Sequence, residues 1–300
     1  MNTSDSTFET HRPRLFGLAY RLLGSRTDAE DVVQDAWLRW RQADRAQIRD
    51  TEAWLVTATT RLGIDRLRAA RSQRERYVGP WLPEPAEIDE IDGAPGPEDA
   101  TAIAEQVSLA FLAVLERLGP EERAAYLLKE AFDYDYARIA QLLGHGEANC
   151  RQMVHRARSR VQAGRPRFAV DPGHHRVLLE RFMHAARIGD RHAIAALLRE
   201  DARLLSDGGG KAPAAIRPLL GAERIARLFW AAYRRPDPEL QWRMGSVNGE
   251  PAILRHRGGT LEAVMVVVTD GERIAELLHL SNPDKLAPGV TPSGTAASLR

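Results

Sequence analysis

Cysteine is almost absent from this chain of 300 residues, in which Cys150 stands alone. A single cysteine excludes an internal disulfide framework and a metal cluster built on cysteines, and it favours a reducing compartment. No window approaches eighteen uninterrupted apolar residues, and the N-terminal sequence MNTSDSTFETHR lacks the apolar core of a signal peptide. The sequence therefore predicts a soluble, cytoplasmic protein with no membrane association.

Net charge is also nearly absent, at +1 for the whole chain at pH 7. This small value arises because basic and acidic residues are segregated into different segments of the chain. The length predicts two or three domains with sizeable cores. The charge of the separate segments is therefore a better guide to function than the net charge of the whole chain.

A helix-turn-helix is predicted over residues 136–161, YARIAQLLGHGEANCRQMVHRARSRV. The first helix has an apolar face formed by Ile139, Ala140 and Leu143, and Gly144 supplies the backbone freedom for the helix to stop. The second helix is expected to bury four positions with helical spacing, namely Cys150, Val154, Ala157 and Val161.

The outer face of the second helix is polar and basic. Between Ala148 and Arg167 there is no acid, and there are six arginines: Arg151, Arg156, Arg158, Arg160, Arg165 and Arg167. Such a helix is suited to enter a major groove and to contact phosphates. The alternative is an ordinary helical hairpin with a solvated basic face, which charge of a single sign disfavours.

Residues 8–77 are predicted to be helical throughout. In TDAEDVVQDAWLRW, Thr27 or Asp28 is expected to cap the helix, and the valines and tryptophans form a broad apolar side. The outer face carries four residues, Asp31, Gln34, Asp35 and Leu38. This face is either a protein-docking surface or a simple solvated face.

A third helix is predicted to begin near Thr51 and to become strongly basic toward its end. Trp54 lies near its start, and Arg61, Arg66 and Arg68 follow. A basic helix with a nearby aromatic side chain is suited to follow a nucleic-acid backbone and to support unpaired bases. Trp54 is equally compatible with a role as a core anchor.

The order of AEDVVQDAWLRW, TEAWLVTATTRLGIDRLR and HRARSRV resembles that in bacterial sigma factors of the extracytoplasmic function (ECF) group. Residues 8–77 resemble sigma region 2, and residues 101–165 resemble sigma region 4. The resemblance implies two all-α domains, a helical bundle and a helix-turn-helix. It also implies a protein that binds core RNA polymerase and promoter DNA and directs transcription initiation.

The resemblance implies roles for individual residues. Core polymerase docking falls to Asp31, Gln34, Asp35 and Leu38. Minus-10 recognition falls to Trp54, Thr60, Arg61, Arg66 and Arg68, with Thr60-Arg61 standing where many relatives have Arg-Asn. Minus-35 recognition falls to Ala148, Asn149, Arg151, Gln152, His155 and Arg156.

An acidic, proline-rich linker is predicted over residues 78–100. The stretch GPWLPEPAEIDEIDGAPGPEDA contains five prolines, seven acids and no basic residue, so it is not expected to form a packed domain of its own. Trp81 and Leu82 in WLPEP predict an apolar anchor, either on core polymerase or on another part of this chain. A loosely ordered tether is the alternative.

From His174 the pattern changes to helices followed by strands, after a second linker at 166–173. Leu240, Trp242 and Met244 recur with period two, and Asp270-Gly271 predicts a hairpin. Helices followed by a curled antiparallel sheet predict an α+β cone. This order resembles the SnoaL-like branch of the NTF2-like superfamily over residues 174–286, and 287–300 is expected to be a disordered tail.

WLPEP, DGGGK at 207–211 and NPDKL at 282–286 together resemble the ECF sigma factors that carry a SnoaL-like C-terminal extension. The interdomain regulatory contacts that we predict are Trp81, Leu82, Asp207, Gly208, Gly209, Gly210, Lys211, Asn282, Pro283, Asp284 and Lys285. Lys211 is expected to meet a carboxylate, with the acidic linker as a candidate. DGGGK is not a phosphate loop, because Ala212 replaces the Ser or Thr that would bind magnesium.

No catalytic function is predicted. Asp207, His256 and His279 are the candidates in the cone, but they show no acid and base at a compelling spacing. We expect no metal and no cofactor, and we expect regulation in cis by the SnoaL-like domain without a separate anti-sigma factor. The alternatives are a one-component DNA-binding regulator that senses a ligand and an enzyme with a DNA-binding tether, and a small-molecule ligand in the cone is compatible with the sigma factor interpretation.

Overall fold

The computed structural model describes residues 3–90, 107–164, 172–286 and 290–291. The chain divides into two compact units: unit 1 is Met1–Arg76 with Phe111–Arg165, and unit 2 is Tyr77–Ala110 with Pro166–Arg300. Arg165, Arg167, most of the predicted linker 166–173, residues 91–100 of the acidic linker and most of the predicted tail lie outside the described residues. Each unit is taken separately below.

Unit 1 is helical in its described part. Its helices are α1 Thr3–Leu23, α2 Arg26–Gln42, α3 Thr51–Glu75, α4 Leu109–Leu115, α5 Pro120–Glu130, α6 Tyr136–Leu143 and α7 Glu147–Gly164. A 3₁₀ turn lies at Arg45–Gln47, and the first two residues of α4 belong to unit 2. Ser25 caps α2, because its side chain accepts a hydrogen bond from Asp28 N at 3.2 Å. The prediction of Thr27 or Asp28 as the cap was therefore wrong, and the helix begins one turn earlier than the acids suggested.

Helices α1, α2 and α3 pack against one another, and α5 packs against α1 and α3. Arg123 of α5 is buried, with an exposed fraction of 1%. Its guanidinium donates to Leu115 O at 2.8 Å and Leu22 O at 2.6 Å, and it pairs with Glu116 at 3.0 Å. Arg123 thus satisfies the last carbonyl groups of both α1 and α4, which have no partner within their own helices.

The helix-turn-helix consists of α6 and α7. Gly144 ends α6 in the left-handed region, with φ of 72°, as the glycine predicted. The four apolar positions predicted for α7, which are Cys150, Val154, Ala157 and Val161, are buried. In α6 the buried residues are Ile139, Ala140 and Leu142, so the apolar face includes Leu142 where the sequence prediction placed the partly buried Leu143.

Unit 2 combines helices with one sheet. Its elements are β1 Ile88–Glu90, α8 Pro172–Ile188, α9 Arg191–Leu197, β2 Leu198–Asp207, β3 Leu219–Leu220, α10 Ala222–Tyr233, β4 Leu240–Val247, β5 Glu250–Arg257, β6 Thr260–Thr269, β7 Ile274–Leu280, α11 Pro283–Leu286 and β8 Val290–Thr291. The eight strands have the order β3-β2-β7-β6-β5-β4-β1-β8. Seven of them follow α9, and β1 comes from the acidic linker.

The sheet is mixed, whereas the sequence predicted an antiparallel sheet. Strands β2 and β7 run parallel, as do β1 and β8, and the other neighbours are antiparallel. Hairpin turns predict antiparallel neighbours only for strands that are consecutive in the chain. The pairing of β2 with β7 joins strands far apart in sequence, which local turn signals do not reveal.

One face of the sheet is covered by α8 and α10. Phe182 of α8 and Phe229 of α10 meet edge to face with ring centroids 5.0 Å apart. Leu82 and Ile88 of the acidic linker are also buried, at 1% and 3% exposure. The described residues 77–90 therefore belong to the core of unit 2 rather than forming a loose tether. No helix in the described portion of the chain combines the length and the apolarity needed to cross a membrane.

Candidate DNA-binding surfaces and linker contacts

Helix α7 exposes all six residues predicted to read the minus-35 element. They are Ala148, Asn149, Arg151, Gln152, His155 and Arg156. The buried positions of the same helix anchor it to the rest of unit 1, so the exposed side chains share one outward surface. Arg151 pairs with Glu147 one turn earlier at 2.8 Å, and both side chains stay about half exposed. This surface has the shape and donor groups that a major groove accepts.

The arginines behind this surface have acidic partners on α5. Arg156 lies 3.5 Å from Glu122, and Arg160 forms a closer ion pair with the same carboxylate. Arg158 pairs with Glu130. All three arginine side chains remain about half exposed. DNA phosphates would therefore compete with carboxylates that these arginines already contact.

Two of the predicted minus-10 residues are not simple surface groups. Trp54 is partly buried and packs against Trp40 with ring centroids 5.6 Å apart. Thr60 is fully buried, and its hydroxyl donates to Val56 O at 2.7 Å. Thr60 lies on the side of α3 that faces the bundle, so its assignment as a DNA contact is corrected.

The three arginines of the minus-10 set are exposed, and each has an acceptor within unit 1. Arg61 donates to Leu142 O at 3.2 Å, and Arg68 pairs with Glu121. Arg66 contacts Asp28 at 2.6 Å and Asp31 at 3.0 Å. The hydrogen bond and the charge of Asp28 raise the pKa of Arg66. The structure thus brings Arg66 together with Asp31, a residue predicted to dock on polymerase.

The predicted docking residues share the outer face of α2. Asp31, Gln34, Asp35 and Leu38 are all exposed, and Leu38 is 41% exposed despite its apolar side chain. Arg41 lies over the ring of Trp37 at 5.0 Å from its centroid, beside this face. An acidic surface with an exposed leucine is suited to a partner that is basic and partly apolar.

The residues of WLPEP, DGGGK and NPDKL meet at the carboxylate of Asp207, at the end of β2. Asp207 has an exposed fraction of 0%. It accepts hydrogen bonds from Leu82 N at 2.8 Å, from Lys285 Nζ at 2.7 Å and from the hydroxyl of Tyr77. A buried carboxylate needs this number of donors, because burial without partners costs several kcal/mol.

Lys285 supplies the opposite charge and reaches back to the linker. Its Nζ donates to Leu82 O at 2.6 Å and lies 3.2 Å from the centroid of the Trp81 ring. The Tyr77 ring lies 5.0 Å from the same ammonium and meets Trp81 edge to face at 4.7 Å. Lys285 is only 7% exposed. Two aromatic rings, a carboxylate and a carbonyl therefore enclose this cation.

Asn282 completes the cluster through the Tyr77 hydroxyl, to which its Nδ2 donates at 2.8 Å. Burial and the neighbouring Asp207 carboxylate raise the pKa of Tyr77 far above its ordinary value, so the phenol remains protonated. We call the group formed by Tyr77, Trp81, Leu82, Asp207, Asn282 and Lys285 the linker latch.

The glycines of DGGGK allow the close approach that this latch requires. A Cβ at Gly209 would lie 2.4 Å from the side-chain nitrogen of Asn282, and one at Gly208 would lie 2.3 Å from Ala212 O. Gly209 and Gly210 also have positive φ values of 61° and 72°. The loop therefore accepts only glycine at these positions without rearrangement.

Lys211 does not pair with the acidic linker in the described residues, which corrects that expectation. Its Nζ contacts both carboxylate oxygens of Asp284, at 2.6 and 2.8 Å, on the surface. Pro283 begins the short helix α11, which carries Asp284 outward and Lys285 inward. NPDKL thus binds DGGGK at the surface and WLPEP in the interior.

The candidate catalytic residues of the cone do not form an acid and base pair. Asp207 is paired with Lys285, and burial together with Arg255 lowers the pKa of His279 to about 3. His256 lies on β5 and is buried. Within the described residues, no group of three or more His, Cys, Asp or Glu side chains is arranged to bind a metal ion.

Sequence reasoning missed Tyr77, Arg123 and Asn248. Asn248 begins the turn between β4 and β5, where Asn-Gly is a strong hairpin signal. That signal could have located the turn but not the linker that it contacts. Tyr77 and Arg123 carry no local pattern that distinguishes them from surface residues.

Two family models match this chain: sigma-70 region 2 over residues 7–73 and sigma-70 region 4 over residues 108–161. The ECF RNA polymerase sigma factor SigJ of Mycobacterium tuberculosis is 38% identical over 291 residues, which cover 93% of this chain and 92% of SigJ. The chain belongs to the ECF sigma factors. The probable ECF sigma factor SigI of the same species is 30% identical, with 94% of each chain covered.

The crystal structure of SigJ matches this ECF sigma factor in fold, with a TM-score of 0.73 at 34% identity over 93% of this chain and 97% of that one. The protein therefore has sigma regions 2 and 4 followed by a SnoaL-like domain, as predicted. As an ECF sigma factor it binds core RNA polymerase and promoter DNA in transcription initiation, and it is not an enzyme.

Proposed function

We propose that the SnoaL-like domain regulates this ECF sigma factor in cis by holding the linker between regions 2 and 4 in a folded-back form. The observation that carries the proposal is the buried pair of Asp207 and Lys285, because each of these two groups also hydrogen-bonds the backbone of Leu82 in the linker. The carboxylate accepts from its N–H and the ammonium donates to its carbonyl. This arrangement binds the linker backbone at one residue from both sides.

The energetics favour a stable but reversible restraint. Removing one member of a buried, hydrogen-bonded ion pair costs about 3–5 kcal/mol, because the other charge is left without a partner. The linker and the SnoaL-like domain belong to one chain, so their effective concentration is high and modest contacts suffice. A separate anti-sigma protein is then not required for restraint.

The restraint acts on the segment that joins the two promoter-reading regions. In the ECF family the linker passes through polymerase near the active centre, as the sequence resemblance implies. A linker whose Leu82 is bound to Asp207 and Lys285 cannot follow that path at the same time. Release of the linker latch is therefore a step in forming the polymerase-bound state.

The promoter and polymerase contacts follow the exposed surfaces of unit 1. We assign minus-35 reading to Ala148, Asn149, Arg151, Gln152, His155 and Arg156, minus-10 recognition to Trp54, Arg61, Arg66 and Arg68, and core docking to Asp31, Gln34, Asp35 and Leu38. Exposure supports these assignments for every residue except the partly buried Trp54, whose assignment rests on the family resemblance, and the arginines add the positive charge that DNA contact requires. Substituting them singly in promoter binding and core binding assays tests each set.

The test of regulation uses the full-length chain. The double variant Lys285→Met with Asp207→Asn removes both latch charges while nearly preserving side-chain volume. We expect its affinity for purified core polymerase to rise by up to about tenfold, equivalent to about 1.4 kcal/mol. Run-off transcription from a promoter fragment at limiting protein should rise in parallel.

The matched control is Lys211→Met. This change also removes a lysine that joins DGGGK to NPDKL, but the ion pair that it breaks, with Asp284, is exposed. It should leave core affinity unchanged. Amide hydrogen exchange at Leu82 reports whether the latch has opened. An open latch combined with unchanged core affinity and unchanged transcription would refute regulation in cis.

A further inference from the structure

The turn between β4 and β5 contacts the linker at Ala86 and Glu87, a few residues after Leu82 of the linker latch, and again at Val107. Asn248 and Gly249 form this turn, with φ values of 51° and 76° that identify it as a type I′ hairpin. Asn248 is 9% exposed although it lies at a hairpin tip. Tip residues are usually solvated, so the burial of Asn248 indicates that another segment covers it.

Two separate stretches of the linker cover Asn248, one at Ala86–Glu87 and the other at Val107. On the first side, Asn248 Oδ1 accepts from Ala86 N at 2.9 Å and from Glu87 N at 3.2 Å, and Asn248 N donates to Glu87 O at 3.0 Å. On the second side, Asn248 Nδ2 donates to Val107 O at 3.0 Å. One amide side chain therefore binds backbone groups that lie twenty residues apart.

Neighbouring residues of the hairpin extend both contacts. On the first side, β1 continues from Glu87 and pairs with β4, with Ile88 opposite Val247. On the second side, the carboxylate of Glu250 accepts a hydrogen bond from the side chain of Ser108. Ser108 is the first residue of the matched sigma region 4. The hairpin tip thus holds the linker just before β1, where the linker enters the sheet, and also where region 4 begins.

We propose that the Asn248–Gly249 turn is a second restraint, a clamp that fixes the start of region 4 to the SnoaL-like domain independently of the linker latch. This inference rests on the proposed regulation in cis and deepens it. The latch acts at Tyr77–Leu82, next to the end of region 2, and the clamp acts at Val107 and Ser108. The domain therefore controls the two sigma regions through separate contacts.

The reach of the linker explains why the clamp matters for activity. The twenty residues from Glu87 to Val107 could span about 65–70 Å if fully extended. The clamp instead holds both ends against one side chain. Region 4 can move away from the end of region 2 by the full length of this segment only when one set of Asn248 contacts opens.

Asn248→Gly tests the clamp in the full-length protein. Glycine adopts the positive φ of this position without strain, so the turn remains while all side-chain contacts to the linker are lost. We expect amide exchange at Ala86 and Glu87 to accelerate by at least about tenfold, while the Leu82 amide of the latch stays protected. Affinity for core polymerase should rise by about threefold.

The matched control is Asp270→Gly, the same kind of change in the hairpin between β6 and β7. Asp270 hydrogen-bonds its own turn through Glu272 N and Arg273 N, so its loss should leave linker exchange and core affinity unchanged. Combining Asn248→Gly with the latch double variant should multiply the two effects on core affinity, because independent sites are additive in free energy.

Two results would overturn the clamp. Unchanged exchange at Ala86 and Glu87 in Asn248→Gly would show that Asn248 does not hold the linker. Faster exchange with unchanged core affinity would show that opening the clamp is not a step toward polymerase. Neither result touches the proposed regulation in cis, which stands or fails on the Lys285 and Asp207 variants.

Discussion

Among the residues that the structure describes, Arg123 in unit 1 and Lys285 in unit 2 are both buried cations that donate to backbone carbonyls, but they connect different elements. Arg123 in unit 1 binds the carbonyl ends of α1 and α4, both within the sigma regions themselves. Lys285 in unit 2 binds Leu82 of the linker beneath an aromatic ring. Arg123 therefore stabilises unit 1 from within, whereas Lys285 holds the linker segment at Leu82 against the SnoaL-like domain within unit 2. The arginines that we assign to DNA contact are exposed, and Arg66, Arg68, Arg151 and Arg156 form ion pairs with carboxylates of unit 1.

The difference in burial between these two kinds of contact agrees with the role that we assign to each. An exposed ion pair contributes little stability and exchanges readily for a phosphate, which suits arginines that alternate between a carboxylate and DNA. A buried cation with several acceptors is lost only at a large energetic cost. The buried contacts therefore suit a fixed architecture or the proposed restraint of the linker, and the exposed ion pairs are the contacts that we expect promoter DNA to replace.

The largest effect expected from this comparison is that of Arg123→Met. The substitution keeps an apolar stem but removes the guanidinium donor to Leu22 O and Leu115 O and one of the two arginines that pair with Glu116, whose other partner is Arg74. We expect the helical signal of unit 1 to unfold at lower urea concentration, with a loss of about 3–5 kcal/mol. Circular dichroism in urea measures it. A loss no greater than that of an exposed arginine of the same unit, such as Arg12→Met, would contradict the assignment.

The next effect separates charge from packing in the linker latch. Lys285→Met alone leaves Asp207 buried and without its ionic partner, so local stability at Leu82 should fall by about 2–4 kcal/mol. Adding Asp207→Asn should recover part of that loss, because the second uncompensated charge disappears. Comparing hydrogen exchange at Leu82 in the two variants measures the interaction free energy between the charges of Lys285 and Asp207. Equal losses in both would mean that the charges do not interact.

A smaller effect concerns pH and the clamp. Burial raises the pKa of Glu250 to about 7, with a weaker opposing effect of its hydrogen bond to Ser108. A raised pKa means that the clamped state binds the proton more tightly than the open state does. The stabilisation is therefore complete below the ordinary pKa of a glutamate and is lost as pH rises through about 7.

Between about pH 5.5 and about pH 7.5 this linkage corresponds to about 2 kcal/mol of local stability. Exchange at Ala86 and Glu87, corrected for intrinsic rates, should show it, and Glu250→Gln should remove most of it. A smaller dependence in the same direction should remain, because burial and Asp89 also raise the pKa of Glu87. A pH response unchanged by Glu250→Gln would exclude this carboxyl as its source.

The smallest effect tests the exposed pairs. Glu121→Gln with Glu122→Gln removes the pairs of Arg156 and Arg160 with Glu122 and leaves Arg68 with Asp65 as its carboxylate partner. Affinity for a duplex of mixed sequence should rise by about two- to fivefold and depend more steeply on salt. Fluorescence anisotropy measures both. Glu180→Gln, which breaks a partly exposed pair with Arg176 within α8, is the control and should change neither.

The sequence predicted the parts of this fold that depend on local pattern. Periodicity located the recognition helix, because Cys150, Val154 and Ala157 repeat with helical spacing and are buried. Asp270-Gly271 located the hairpin between β6 and β7, because Asp-Gly is a turn signal that depends only on neighbouring residues. Family resemblance added the regulatory motifs, which the structure gathers around Asp207.

The parts that local pattern could not predict depend on contacts between distant segments. The parallel pairing of β2 with β7, the strand β1 within an acidic linker and the burial of Arg123 are all of this kind. An arginine in an amphipathic helix is predicted to be exposed from sequence alone. Its burial becomes evident only from the structure, in which it donates to carbonyl groups at the ends of two other helices. Thr60 failed as a DNA contact for the same reason, since only the packing of α3 shows which side is inside.

Strand β1 has one further consequence. It lies between β4 and β8, and its backbone satisfies the hydrogen-bonding groups of Gly245 to Val247. If the linker departs, the SnoaL-like domain is left with an open sheet edge, which attracts any extended chain that can pair with it. The released domain is thus a receptor for a peptide strand. A short peptide with the sequence of residues 86–90 should bind it and keep the sigma factor in its open form.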